Sequence, residues 1–207
     1  MFKFRYIEKA VLVGFVIALL FFFTGFTAFA AQCEQIPNEV FRLHVLANSD
    51  SEEDQALKLK VRDRLLAETG ALFGSCMTKV EAMDTAKGNL ALLQQAAQDV
   101  IEKEGYFYPV TIEVDNIFFE NRQYDEITMP AGQYDALKVS IGKGEGKNWW
   151  CVLFPAMCLP VAQKYDGMLQ LEDVLSDQQM QAVEGNQYEI KFKSVEIYET
   201  IKSWFTW

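Results

Sequence analysis

The chain has 207 residues, half of them apolar, with 19 basic against 29 acidic residues and a single histidine. Setting aside Lys3, Arg5, Lys9 and Glu8 of the first 31 residues leaves 16 basic and 28 acidic residues in 32–207, a formal net charge of −12. A domain this acidic is repelled by nucleic acid and by anionic lipid, and with no low-complexity tract, internal repeat or Pro/Ser/Gly-rich linker it has the length and apolar content for one hydrophobic core.

Lys3, Arg5 and Lys9 precede an apolar run from Ala10 to Phe23 that continues with small and hydroxylated residues to Ala31. This is the layout of an export signal. Ala28-Phe29-Ala30 offers an A-x-A cleavage site, yet at about 1.5 Å per helical residue the run is also long enough for a hydrocarbon core of about 30 Å. Residues 1–31 therefore read as a signal peptide or a membrane anchor, and 32–207 as an extracytoplasmic domain under either reading, because the basic flank keeps the N-terminus inside. Cys33 lies just past the leader, but Gln32 stands where a lipoprotein signal carries a small residue.

Phe41, Leu43 and Val45 alternate with Arg42 and His44, the period of a half-buried strand. Asn48-Ser49-Asp50-Ser51 supplies helix caps, and Glu52, Glu53 and Asp54 suit the positive end of a helix dipole. The helix that follows carries Leu57, Val61 and Leu65 on one stripe, with Gly70 as its expected stop. Thr78 and Glu81 have capping-box spacing and open a second, long helix to Gly105, with Val80, Met83, Leu90, Leu93, Ala97 and Ile101 on one face and Gly88 marking a bend or break. From Pro109 the period changes to two: Val110, Ile112 and Val114 form one strand and Leu137, Val139 and Ile141 another. Tyr124 to Met129 is read as a further strand, bounded by the Pro130-Ala131-Gly132 turn. Trp149 to Phe154 is continuously apolar and is expected at the centre of the sheet. A short helix from Ser176, a strand at Tyr188 to Phe192 and a terminal helix bearing Val195, Tyr198, Ile201 and Phe205 complete a single α+β domain with a mostly antiparallel sheet packed by two or more helices.

The residue chemistry is sparse. His44 has Ser49 and Asp50 nearby, but a strand end and its following loop do not make a triad, no G-x-S-x-G elbow exists, and both partners are better explained as caps. One histidine without a C-x-x-C pair gives no zinc site. Gly142-Lys143-Gly144-Glu145-Gly146-Lys147-Asn148 precedes a strand rather than a helix, so it reads as a turn joining two antiparallel strands or a partner-contacting loop, not as a phosphate cradle. At most one of Trp149 and Trp150 can be an exposed stacking platform. Cys151 and Cys158 flank Pro155 and are the candidate disulfide pair among the four cysteines, against the alternative of two buried free thiols. No enzyme activity, cofactor or metal is expected.

The string Arg42-Leu43-His44-Val45-Leu46-Ala47-Asn48-Ser49-Asp50-Ser51, continued from Glu53 to Asp63, resembles the signature of the stage II sporulation protein R family. Pro130-Ala131-Gly132, Tyr134, Ala136 to Val139, Ile141-Gly142, Gly144 and Gly146 to Pro155 with Cys158 resemble the same family in the same order, with Met129 and Ala156 as mild departures. The resemblance implies a protein exported from the forespore into the intermembrane space, where it activates a membrane-embedded aspartic protease of the mother cell that matures a sigma-factor precursor. The implied partners are that protease and, through the leader, the export machinery. Surface loops carry function more often than core strands do. The receptor-binding candidates are accordingly the corner with His44, Asn48, Ser49, Asp50 and Asp54, and second the loop with Gly144, Lys147 and Asn148. The competing reading is a secreted wall-active hydrolase or a glycan-binding module.

Overall fold

A computed structural model describes residues 2–124, 127–157, 169–184, 193, 195–197 and 200, excepting the side chains of 2–8, 19 and 21–26. Its architecture is α+β. The main sheet is mixed, in the order β2-β5-β1-β6. β1 (Phe41–Leu46) lies parallel to β5 (Gly132–Ile141) and antiparallel to β6 (Asn148–Phe154), while β2 (Val110–Phe119) runs antiparallel to β5. Two of its three pairings are thus antiparallel.

β1 is buried on both faces, not half-buried as its alternation suggests. Phe41, Leu43 and Val45 enter the larger core with Leu57, Val61 and Leu65 of α2 (Glu52–Phe73) and Leu93, Ala97 and Ile101 of α4 (Leu90–Lys103). Each fully buried leucine or valine of that stripe contributes about 1.5–3 kcal/mol. Arg42 and His44 point to the opposite face, where Ile36, Val40, Phe119, Tyr134 and Val152 form a second core. A polar residue on alternate positions is therefore no proof of solvent when a second layer covers that face.

The second layer includes the end of α1 (Phe2–Glu39), α5 (Leu171–Val174), α6 (Asp177–Val183) and the hairpin of β3 (Arg122–Tyr124) with β4 (Ile127–Met129). The single strand expected over Tyr124 to Met129 is thus two strands. The helix α1 runs without a break through residues 31 and 32. Phe29 and Cys33 are buried with Ala182 and Val195, and Ile36 and Val40 enter the second core. Val11, Leu12, Phe15 and Leu20 are exposed along it, and among the described residues no helix is long and apolar enough to cross a membrane.

Several boundaries move for local reasons. α2 continues through Gly70, which is buried, and stops at Gly74. The expected long second helix is two: α3 (Lys79–Gly88), capped by Thr78, and α4, separated at Asn89 beside Gly88. α3 buries Ala82 and Ala86 rather than Val80, which is exposed. β6 is at the edge of the described sheet instead of its centre. Its unbroken apolar character reflects two covered faces, Cys151 and Leu153 facing the larger core and Val152 the second. The helix from Ser176 is α6, whose Ser176 hydroxyl accepts from the Gln179 amide at 3.3 Å. Tyr188 to Phe192, Tyr198, Ile201 and Phe205 lie outside the described residues.

Candidate functional site

The sheet order dictates the site. β5 and β6 flank β1 on opposite sides, so the chain joining them cannot be a hairpin turn. It crosses the end of β1 and passes over the segment Ala47–Ser51 as that segment leaves the strand. The corner and the glycine loop, separate candidates in the sequence, are consequently one surface.

Glycine is required where the two segments cross. A Cβ at Gly146 would stand 2.2 Å from the Ser49 carbonyl oxygen, and the Gly146 amide donates to the Ala47 carbonyl at 2.9 Å. Gly142 adopts φ +58, and a Cβ there would meet Asn48 Oδ1 at 2.3 Å. The approach is fixed by the corner's polar side chains. Asn48 Oδ1 accepts from the Lys143 amide at 3.1 Å, and Asp50 Oδ1 accepts from the Lys147 amide at 2.7 Å. Neither bond is part of a helix cap, although capping is the simplest sequence account of these residues.

Asp54 is the hub beneath them. Its Oδ2 accepts from Asn48 Nδ2 at 2.8 Å and from Ser49 Oγ at 2.6 Å, while its own amide donates to the capping hydroxyl of Ser51 at 3.2 Å. Lys58, buried on the next turn, donates to Gln55 Oε1 at 2.6 Å and to the Lys147 carbonyl at 2.9 Å. Burial lowers the Lys58 pKa. Gln55, Lys58 and Tyr108, whose hydroxyl also bonds Asp54, were missed as participants, since their partners are set by tertiary crossing. Gly144, Lys147 and Asn148 do belong to this surface, with the last two exposed.

His44 does not join it. It is buried, stacked on Trp150 at 4.2 Å between ring centroids and edge-on to Phe119 at 6.1 Å, with no well-formed hydrogen bond at either ring nitrogen, although the Asn148 side chain lies close enough to oppose part of the effect of burial on its pKa. Ser49 Oγ is committed to Asp54, so His44, Ser49 and Asp50 form no nucleophile–base pair. Trp149 is the more exposed of the two tryptophans, with the Arg62 guanidinium 4.1 Å from its ring centroid. Among the described residues no group of three or more His, Cys, Asp or Glu could hold a metal. Cys33 and Cys76 are buried free thiols, the former pushed up to about 12 by burial. Cys151 is not among the free thiols, and Cys158 lies outside the described residues.

The electrostatics predict a two-stage response to acid. Burial lowers the His44 pKa, so the unfolded chain takes up a proton that the folded protein refuses. The stability contributed by neutral His44 is present above about pH 6.5 and is lost as pH falls through it. For Asp54, burial acts to raise the pKa, but hydrogen bonds from Ser49, Asn48 and Tyr108 outweigh it and hold the carboxyl below its ordinary value. Its contribution is present above about pH 3.9 and disappears only as pH falls through the lower folded value. Urea midpoints from pH 8 to pH 3 are expected to fall in these two stages, and His44→Gln to remove only the first. A wild-type profile that is flat between pH 7 and pH 5 rejects the assignment to His44.

Comparison with known proteins places this geometry in context. Residues 37–164, which hold the whole corner and loop, match the model of the family described as stage II sporulation protein R. The chain is 35% identical over 138 residues to the stage II sporulation protein R of Bacillus subtilis (strain 168), the match covering 67% of this chain and 62% of that protein's length. No solved structure is significantly similar.

Proposed function

This chain belongs to the stage II sporulation protein R family, and from that premise we propose that it is an exported sporulation signal that activates a membrane-embedded aspartic protease. It is made in the forespore and passes by its N-terminal leader into the intermembrane space. There the domain docks on the protease of the mother cell, which then matures a sigma-factor precursor. Activation requires that the protein bind the active arrangement of the protease more tightly than the inactive one.

The observation that carries the docking surface is the crossing of the Gly142–Asn148 loop over the Ala47–Ser51 corner. It presents backbone and polar groups in a fixed geometry, held by Asn48 and Asp50 from one segment and by Lys143 and Lys147 amides from the other. A loop pinned at both ends loses little entropy on binding. The triad geometry that a hydrolase reading needs is not formed by His44, Ser49 and Asp50. Cys151 is paired with Cys158 in this proposal, the other two cysteines being buried free thiols.

The test is cleavage of the sigma-factor precursor in non-sporulating cells that co-express the protease, with this protein, without it, and with a leader-deleted form. Cleavage that depends on the exported form is expected, and its absence despite stable exported protein rejects the activity in that pairing. The double replacement Asn48→Ala, Asp50→Ala is expected to cost about 3 kcal/mol of stability, from the bonds to Lys143, Asp54 and Lys147 at about 1 kcal/mol each. It is also expected to lower cleavage by more than the loss of folded protein explains. Full cleavage by a folded double variant removes the corner from the docking surface.

A further inference from the structure

Immediately beside the crossing, α4 ends in a turn that projects one aromatic side chain into solvent. Gly105, at φ +83, closes the helix: its amide donates to the Glu102 carbonyl at 3.0 Å and the Tyr106 amide to the Ile101 carbonyl at 3.0 Å, the double bond of a Schellman stop. Phe107 follows and is 95% exposed. A single exposed apolar residue usually needs no explanation. This one sits on backbone that is held on both sides. Tyr106 and Tyr108 on either side stack at 5.4 Å and pack against the larger core. Gln98 grips the chain beyond it, donating to the Tyr108 carbonyl at 3.2 Å and accepting from the Val110 amide at 3.2 Å. The Pro109 carbonyl accepts from the Gly142 amide at 2.8 Å, so the tip is bonded to the glycine loop itself.

We propose that Phe107 is the anchor by which the domain enters an apolar pocket with a basic rim on its protein partner. This inference rests on the activating-signal reading and gives that docking surface its chemistry. An aromatic ring on backbone already fixed at both sides is the type of residue that dominates binding energy, because its two rotatable bonds carry a large apolar area at small entropic cost. The pocket's rim is set by charge. The ring follows the carbonyl end of α4, where exposed Glu102 and Glu104 stand on either side of Lys103 and where the helix dipole adds negative potential. Glu104 is neutralised in part by Lys60, but residues 32–207 carry a net charge of −12. That charge opposes both an anionic membrane and a second copy of the chain, and favours arginine or lysine groups able to pair with the acids and lie over the ring.

The test uses the full-length protein in the co-expression assay. Phe107→Ala is expected to lower precursor cleavage about 30-fold, the effect of a strong anchor residue, with an unchanged thermal midpoint because the ring packs on almost nothing. Phe107→Trp is expected to retain most of the activity, and Glu102→Lys to lower it. Phe107→p-benzoylphenylalanine is expected to crosslink to the protease on illumination. Cleavage by wild type and Phe107→Ala alike overturns the inference alone, as does crosslinking only to lipid or to a second copy. Failure of the wild-type protein to support cleavage overturns the activating-signal reading, and this inference with it.

Discussion

Gly146→Ala is expected to destabilise the protein by about 3 kcal/mol, the scale of overpacking against atoms that cannot move aside. The added methyl would stand 2.2 Å from the Ser49 carbonyl oxygen and 2.6 Å from its carbon. Both are backbone, so no side-chain rotation relieves the clash. Either the loop lifts, breaking the amide bonds from Gly146 to Ala47 and from Lys147 to Asp50, or the corner is displaced from the start of α2. Gly144→Ala provides the contrast. Gly144 adopts φ +65, but a Cβ there meets Ser140 and Leu46 only at ordinary distances, so its cost is the left-handed conformation alone, about 1–2 kcal/mol. Urea unfolding of both variants checks the ordering. A Gly146→Ala protein as stable as Gly144→Ala would show that the crossing is looser than described, and the docking proposal would lose its pinned geometry.

The second large effect is expected at Arg42. This side chain is fully buried, its guanidinium carbon 4.0 Å from the Phe119 ring centroid and 4.9 Å from that of Tyr134. It donates through Nη2 to the Tyr124 hydroxyl at 2.6 Å and through Nε to the Cys151 carbonyl at 3.4 Å, while Nη1 has no hydrogen-bond partner. Burial lowers its pKa, and no carboxylate pairs with it among the described residues. The desolvation of the charge is thus only partly offset, and packing against three aromatic rings is what holds the residue in place. Arg42→Ala empties that space and is expected to cost about 3–5 kcal/mol. Arg42→Met fills most of it without a charge and is expected to stay within about 1.5 kcal/mol of wild type. Equal losses in the two variants would mean that the charge, not the volume, stabilises this layer.

What was legible in the sequence is what local chemistry decides. Thr78 caps α3 as its spacing to Glu81 says it should, Ser51 is the one of the four candidates from Asn48 to Ser51 that caps α2, a short helix does begin at Ser176, and Phe41, Leu43 and Val45 face a core with the stripe Leu57, Val61 and Leu65. The mistakes share one cause. Gly70 looks like a stop but is buried inside α2, and Arg42 and His44 look solvent-facing but lie beneath a second layer built by α1, α5, α6 and the β3–β4 hairpin. The place of β6 depends on strand order, which no period within β6 encodes. The same holds for the candidate site. Its two halves were each visible, whereas their union follows from β5 and β6 lying on opposite sides of β1, and the exposed Phe107 follows from a helix stop whose direction is fixed only in three dimensions.

The crossing also has a consequence for timing. The bonds from Lys143 to Asn48 and from Lys147 to Asp50 join positions 95 and 97 residues apart. Contacts so distant along the chain must await closure of a long loop, and they form late compared with helices and local turns. If the chain is exported with its leader held at the membrane, as proposed, the corner would be outside long before the loop arrived, and α2 to α4 could form while the surface was still incomplete. The finished surface therefore exists only after β6 has aligned beside β1, and under the proposed export a partner that recognises it would respond to complete passage of residues 37–154 rather than to the first appearance of the protein.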